Sequence, residues 1–164
     1  MASRFGASWP EMIYWGVALS MLAAFAVTLA LMALDTRTID GHTSVWTKPL
    51  KFELSLALHA ATLALACRLL SAPCRHGPAM LVIAIAFLAA CVVEMGYIIM
   101  QGARGEHSHF NVGTPFHRIM YSVMAVAAVI IVGAAGAIGL AFLGEESSSA
   151  STALKTSIVL GFVG

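Results

Sequence analysis

The sequence predicts an all-α protein, a polytopic transmembrane helical bundle with four full spans and part of a fifth. Three observations predict it. Of the 164 residues, 60% are hydrophobic and only 10% are charged, against about 25% charged in a soluble domain. Four apolar runs are long enough to cross a bilayer, which takes about 20 residues of helix. The polar residues, instead of being scattered, concentrate in two of the loops between those runs.

The first run is Met12 to Leu34, preceded by a short segment with a single basic residue, Arg4. It is longer than the apolar core of a signal peptide. Ala33-Leu34-Asp35 makes a poor cleavage site, so this run reads as a retained first helix. The second run covers about 50–70, the third 79–100 and the fourth 116–143. Asp40-Gly41 is a turn signal, and Pro49 suits the first turn of the second helix. Pro73 and Pro78 bracket a short loop, and Thr114-Pro115 reads as an N-cap followed by the first helical residue.

Ser147, Ser148, Ser149 and Ser151 form a small linker. A fifth run, 152–164, has about half the length of a span. It is expected to begin a fifth helix of a longer chain, a packed half-helix being the alternative. The whole reads as one transmembrane domain, residues 1–164, without an internal repeat. Gly133, Gly136 and Gly139, with Ala135 and Ala137, give the fourth helix a small-residue surface for close packing in lipid. Tyr14, Trp15 and Trp46 suit interfacial anchors.

A net charge of +1 without a basic tail leaves no nucleic-acid footprint. The lipid bilayer is the expected partner, and a homo-oligomer is compatible with the small-residue surface. Cys67 and Cys74 flank a helix end without a spacing that requires a disulfide, and Cys91 reads as a small buried hydrophobe. Basic residues barely orient the chain. Arg4, Arg68, Arg75 and Lys155 fall on one face, and Arg37, Lys48, Lys51, Arg104 and Arg118 on the other. If those five serve a site instead of topology, the N-terminus is cytoplasmic.

Loops one and three share a face because two spans separate them. They hold His42, His107 and His109, with His117 just beyond. Asp35, Asp40, Glu53, Glu94 and Glu106 lie in or beside them. Glu94 falls seven residues before Gln101, about 10 Å deep at 1.5 Å per residue. Ionisable groups at such depth are costly and face a partner inside the bundle. Cys91, Glu94, Tyr97 and Gln101 share one helical face, and Lys51, Ser55, His59 and Thr62 share another. The two stripes are expected to meet. Either Glu94 hydrogen-bonds Tyr97 or pairs with Lys51 or Arg104 and only fixes helix packing, or it serves as a proton relay or a ligand contact; Glu53 points to another helix or the loop.

These residues support a ligand site lined by Lys48, Lys51, Glu94, Gln101, Arg104 and Asn111, with His107 and His109 at its mouth. The ligand would be a small molecule, or an anion drawn by the basic residues and by two helix N-termini. The function class is then transport or sensing. The rival reading is a metal-dependent enzyme or membrane oxidoreductase with His107, His109 and His117 as nitrogen ligands, although His-x-His alone is no zinc signature. A third reading is a structural or assembly protein whose polar loops only hold helices together. Haem b needs two histidines at matched depth, and His59 has no such mate, so no cofactor is assigned.

Val45-Trp-Thr-Lys-Pro-Leu-Lys-Phe52 and Gln101-Gly-Ala-Arg-Gly-Glu-His-Ser-His-Phe-Asn111, with Thr114-Pro115 and Met120-Tyr121, resemble a family of bacterial multi-pass inner-membrane proteins with no assigned activity. The resemblance implies a bacterial inner-membrane location and a longer chain with further helices. It implies nothing about a reaction.

Overall fold

A computed structural model describes residues 6–145 and 149–163. Arg4, Ser147, Ser148 and Gly164 lie outside the described residues. Among the described residues four helices are long and apolar enough to cross a membrane: α1 (Trp9–Leu34), α2 (Thr47–Leu69), α4 (Pro78–Arg104) and α5 (Pro115–Gly144). The protein is an all-α, membrane-embedded helical bundle. A four-residue helix, α3 (Ala72–Arg75), sits between the two prolines of the second loop. The fifth apolar run is a twelve-residue helix, α6 (Thr152–Val163).

Local chemistry sets most boundaries. Ser8 caps α1, its Oγ accepting from the Glu11 N–H at 3.3 Å. Thr114 caps α5 in the same way, accepting from His117 N at 3.2 Å, with Pro115 as the first helical residue. Gly105 ends α4 in the left-handed region (φ 72°), where a residue without Cβ carries no steric cost. That cap turns the chain back over the bundle end. The first loop is more ordered than a turn signal alone suggests. Thr38–Ile39 (β1) and Thr43–Ser44 (β2) form a small antiparallel hairpin, Ile39 opposite Thr43, with Asp40 and Gly41 both at positive φ.

α1 packs chiefly on α2 and then on α4; α5 packs on α4 and α6. The core runs through Tyr14, Leu63, Phe87, Ile98, Ile138 and Phe142, all nearly without exposure. Tyr14 is therefore not an interfacial anchor: its ring meets Phe87 edge-on at 5.3 Å. Trp46 is also buried, and its Nε1 donates to Asp35 at 2.8 Å. The small-residue surface of α5 serves bundle packing. A Cβ on Gly139 would lie 2.8 Å from Val163 and 3.0 Å from Phe162 of α6.

Of the stripe expected to turn inward on α2, only His59 does so, half-buried against Phe87 of α4 at 5.8 Å; the rest faces outward. Lys51, Ser55 and Thr62 are exposed, while Glu53, Leu56, Ala57, Ala60, Leu63 and Ala64 are buried. Small residues allow α1 and α2 to approach closely, so they take the inner face. Thr62 needs no partner helix, because its hydroxyl donates to the Leu58 carbonyl at 2.8 Å.

Loop one is pressed onto α4 at Gly102, where a Cβ would stand 2.9 Å from the Val45 carbonyl oxygen and 3.2 Å from Pro49 Cγ. Gly102→Ala should therefore lose about 1–3 kcal/mol to overpacking, outweighing the gain of about 1 kcal/mol in helix propensity. Gly96→Ala, where the space is open, should keep that gain. Unfolding midpoints in detergent should thus move in opposite directions for the two variants.

Candidate functional site

The stripe on α4 is buried as its spacing predicts. Cys91 is 1% exposed, Glu94 2%, Tyr97 4% and Gln101 0%. What closes over it is the loop after α4, not the exposed face of α2. The Gly105 cap sends residues 106–114 across the bundle end, burying Ser108 and tucking His109 inward.

His109 is the hinge of the arrangement. Its Nδ1 lies 2.8 Å from Lys48 Nζ and 3.2 Å from Ser108 Oγ. An ammonium has only donors, so Nδ1 accepts and the ring proton sits on Nε2. That nitrogen lies 3.5 Å from Glu94 Oε1. The partner of Glu94 is thus His109, backed by Lys48. It is neither Lys51, which is exposed, nor Arg104, which pairs with Glu106 at 3.2 Å. No hydrogen bond joins Glu94 to Tyr97: Glu94 Oε2 and the Tyr97 hydroxyl have no hydrogen-bond partner among the described residues. Burial, and after it the Lys48 charge, hold the His109 imidazole below its ordinary value.

A second cluster adjoins the first. Gln101 Nε2 donates to Glu106 Oε2 at 3.1 Å and to the His107 carbonyl at 3.2 Å. His117 Nε2 lies 3.3 Å from the same Glu106 oxygen. Burial alone would raise Glu106, but hydrogen bonds from Arg104 and Gln101 hold it below the ordinary carboxylate range. Gln101 Oε1 and His117 Nδ1 are buried without a hydrogen-bond partner among the described residues. Asn111 donates to the His107 carbonyl at 3.3 Å, shaping the loop.

On the outside, an open groove of about 710 Å³ is lined by Glu106, His107, His109, Phe110 and Asn111. A cleft of about 30 Å³ between the hairpin and the loop, bordered by Lys48, Glu106 and Ser108, has room for a water molecule. His109 stands between the groove and Glu94, touching both.

Of the residues singled out in the sequence, Lys48, Glu94 and His109 form one cluster, and Gln101, Arg104, His117 and Asn111 surround the adjoining one. Lys51 joins neither. The three histidines proposed as metal ligands are divided: His107 pairs with Asp40 at 3.3 Å, His109 with Glu94, and His117 with Glu106. Among the described residues no group of three or more His, Cys, Asp or Glu side chains is placed to hold a metal. His59 Nε2 lies 3.1 Å from the Ile131 carbonyl, a bond between α2 and α5.

Sequence reasoning missed Ser108, Asp40 and Glu106 as partners. Asp40 and Glu106 each lie near their histidines only through the fold, but Ser108 between two histidines was a visible signal. It also missed the clamp at loop one. There Arg37 pairs with Asp35 at 2.7 Å and donates to the Ala103 carbonyl at 2.9 Å, covering a terminal carbonyl of α4. Hydrogen bonds from Arg37 and then Trp46 hold Asp35 well below the usual carboxylate range.

No family model, curated protein or solved structure matches this chain.

Proposed function

We propose that this membrane-embedded protein binds a small polar solute at one end of its bundle, as the recognition step of a transporter or sensor in a bacterial inner membrane. The observation that carries this reading is the set of buried atoms still able to bond: Glu94 Oε2, Tyr97 OH, Gln101 Oε1 and His117 Nδ1. A polar atom left unbonded in an apolar interior costs about 1–3 kcal/mol. Tyr14 OH on α1 and Glu53 Oε2 on α2 are likewise unpartnered among the described residues, but as single atoms on separate helices, whereas these four stand on α4 and at the start of α5 under one loop. Four such atoms beneath a loop and beside an open groove fit a site that a solute completes. His109 gives access, since it faces the groove and also contacts Glu94.

Glu94→Gln tests the reading, because it keeps the shape and removes the carboxylate. Its helicity and unfolding midpoint should match the parent protein, while stabilisation by small polar solutes, read as a thermal shift in detergent, disappears. A folded Glu94→Gln protein that keeps the solute-dependent shift overturns the proposal.

A further inference from the structure

The chemistry of the unpaired atoms narrows the ligand. We infer that the solute is a small organic ammonium ion, its charged nitrogen taken by Glu94 Oε2 and its carbon chain lying against the aromatic wall of the groove. The inference rests on the reading of this end of the bundle as a solute site, and it names the class that the site takes.

Four observations support it. First, Glu94 Oε2 and Gln101 Oε1 can only accept hydrogen bonds from a ligand, and Tyr97 OH and His117 Nδ1 can accept as well. An ammonium brings donors and no acceptor; a carboxylate or phosphate brings acceptors to a site already rich in them. Second, of the basic residues that suggested an anion only Lys48 faces Glu94. Arg37 is held by Asp35 and Arg104 by Glu106, and Lys51 and Arg118 are exposed. Asp40 pairs with His107.

Third, Lys48 shows how this protein holds such a group. Its Nζ lies 2.8 Å from His109 Nδ1 and 5.7 Å from the centre of the Phe52 ring, between an acceptor and an aromatic face. Fourth, the groove offers an aromatic wall further out. Phe110, 81% exposed, packs on Tyr121 at 5.6 Å and lines the groove. A carbon chain has an apolar surface there. A proton and an ammonium are alternatives at Glu94 Oε2, so binding competes with protonation.

The test uses the full chain purified in detergent, with butylammonium as the probe and butyrate and butanol as the anionic and uncharged probes of equal carbon number. All are compared at matched ionic strength. Butylammonium should raise the unfolding midpoint by several degrees in a saturable way. Lys51→Gln should keep that shift and Glu94→Gln should lose it. Acidification should weaken the apparent affinity. If Glu94→Gln does not fold, Tyr97→Phe decides. That variant removes a hydroxyl without a partner, so the fold should tolerate it and butylammonium binding should weaken severalfold. Unchanged binding in a folded Tyr97→Phe protein would then overturn the inference. A saturable shift with butyrate or butanol but none with butylammonium also overturns it, while leaving a solute site in place. No saturable shift with any of the three refutes the ammonium class and removes support from the solute site itself.

Discussion

Replacing Thr28 with valine is expected to destabilise the bundle by about 2 kcal/mol, although the change is nearly isosteric. Thr28 Oγ1 donates to Glu53 Oε1 at 2.7 Å across the α1–α2 interface. Glu53 is 0% exposed and Thr28 4%. The other Glu53 oxygen has no hydrogen-bond partner among the described residues, so nothing there replaces the lost bond. Removing one partner of a buried polar pair costs the desolvation of the group left behind, about 1–3 kcal/mol and more for a charge. Removing both costs less, because an apolar pair of similar volume has nothing to desolvate. The double variant Thr28→Val/Glu53→Leu should therefore recover most of the loss. Denaturant unfolding in detergent micelles reads the cycle. A Thr28→Val protein as stable as its parent would show that this bond does not hold α1 against α2.

This contact also shows where sequence reasoning stops. The four spans were legible because lipid demands length and apolarity, and both can be counted along the chain. The inward face of α4 was legible because Cys91, Glu94, Tyr97 and Gln101 fall on one helical stripe and three of them are polar. The same rule failed on α2 at every position but His59. Lys51, Ser55, His59 and Thr62 are equally periodic, yet a lone hydroxyl can satisfy itself on its own helix and a lysine near a helix end can reach water. Periodicity finds a face; it does not say which face turns in. Direction came from the small residues Ala57, Ala60 and Ala64, which let α1 approach. Glu53 sits with that buried set, and its partner Thr28 lies 25 residues earlier in another span.

The candidate site was legible as a location and not as a set of pairs. Both polar loops were expected on one face, and Lys48, Glu94 and His109 were all singled out. Their connection depends on Gly105, whose left-handed cap decides where the following loop lands. Spacing along the chain therefore gave no reason to prefer His109 over Lys51 or Arg104 as the partner of Glu94. The three histidines look like a ligand set in sequence because they are close in number. In space each meets a different carboxylate, because the loop that carries His107 and His109 runs between the hairpin, the bundle interior and α5.

Acidification is expected to release that loop. Neutral His109 accepts from the Lys48 ammonium through Nδ1. A protonated imidazole has no lone pair to accept with and repels the ammonium. The groups facing the ring are Lys48 and Phe52 from α2, Glu94 from α4 and Ser108 from its own loop. Glu94 favours the charged ring and the Ser108 oxygen can accept from it, but burial and the Lys48 charge set the direction. Because the docked value lies below the ordinary 6.5, the docked loop binds fewer protons than a released one. Docking is then strongest above that ordinary value and weakens as pH falls through the docked one. Glu106, held below 4.5, adds a loss of the same sign at lower pH. A charge-assisted hydrogen bond is worth about 1.5–3 kcal/mol, but a released histidine with the ordinary value limits the effect at pH 5, so loop opening should rise roughly tenfold and by no more than about thirtyfold. Hydrogen exchange of the amides from 106 to 111, corrected for intrinsic chemistry, should show this between pH 7.5 and pH 5. In His109→Gln, whose amide oxygen still accepts from Lys48 but does not titrate, most of the pH dependence should vanish. Exchange that ignores pH in the parent protein would mean that the Lys48–His109 bond is not what holds the loop over Glu94.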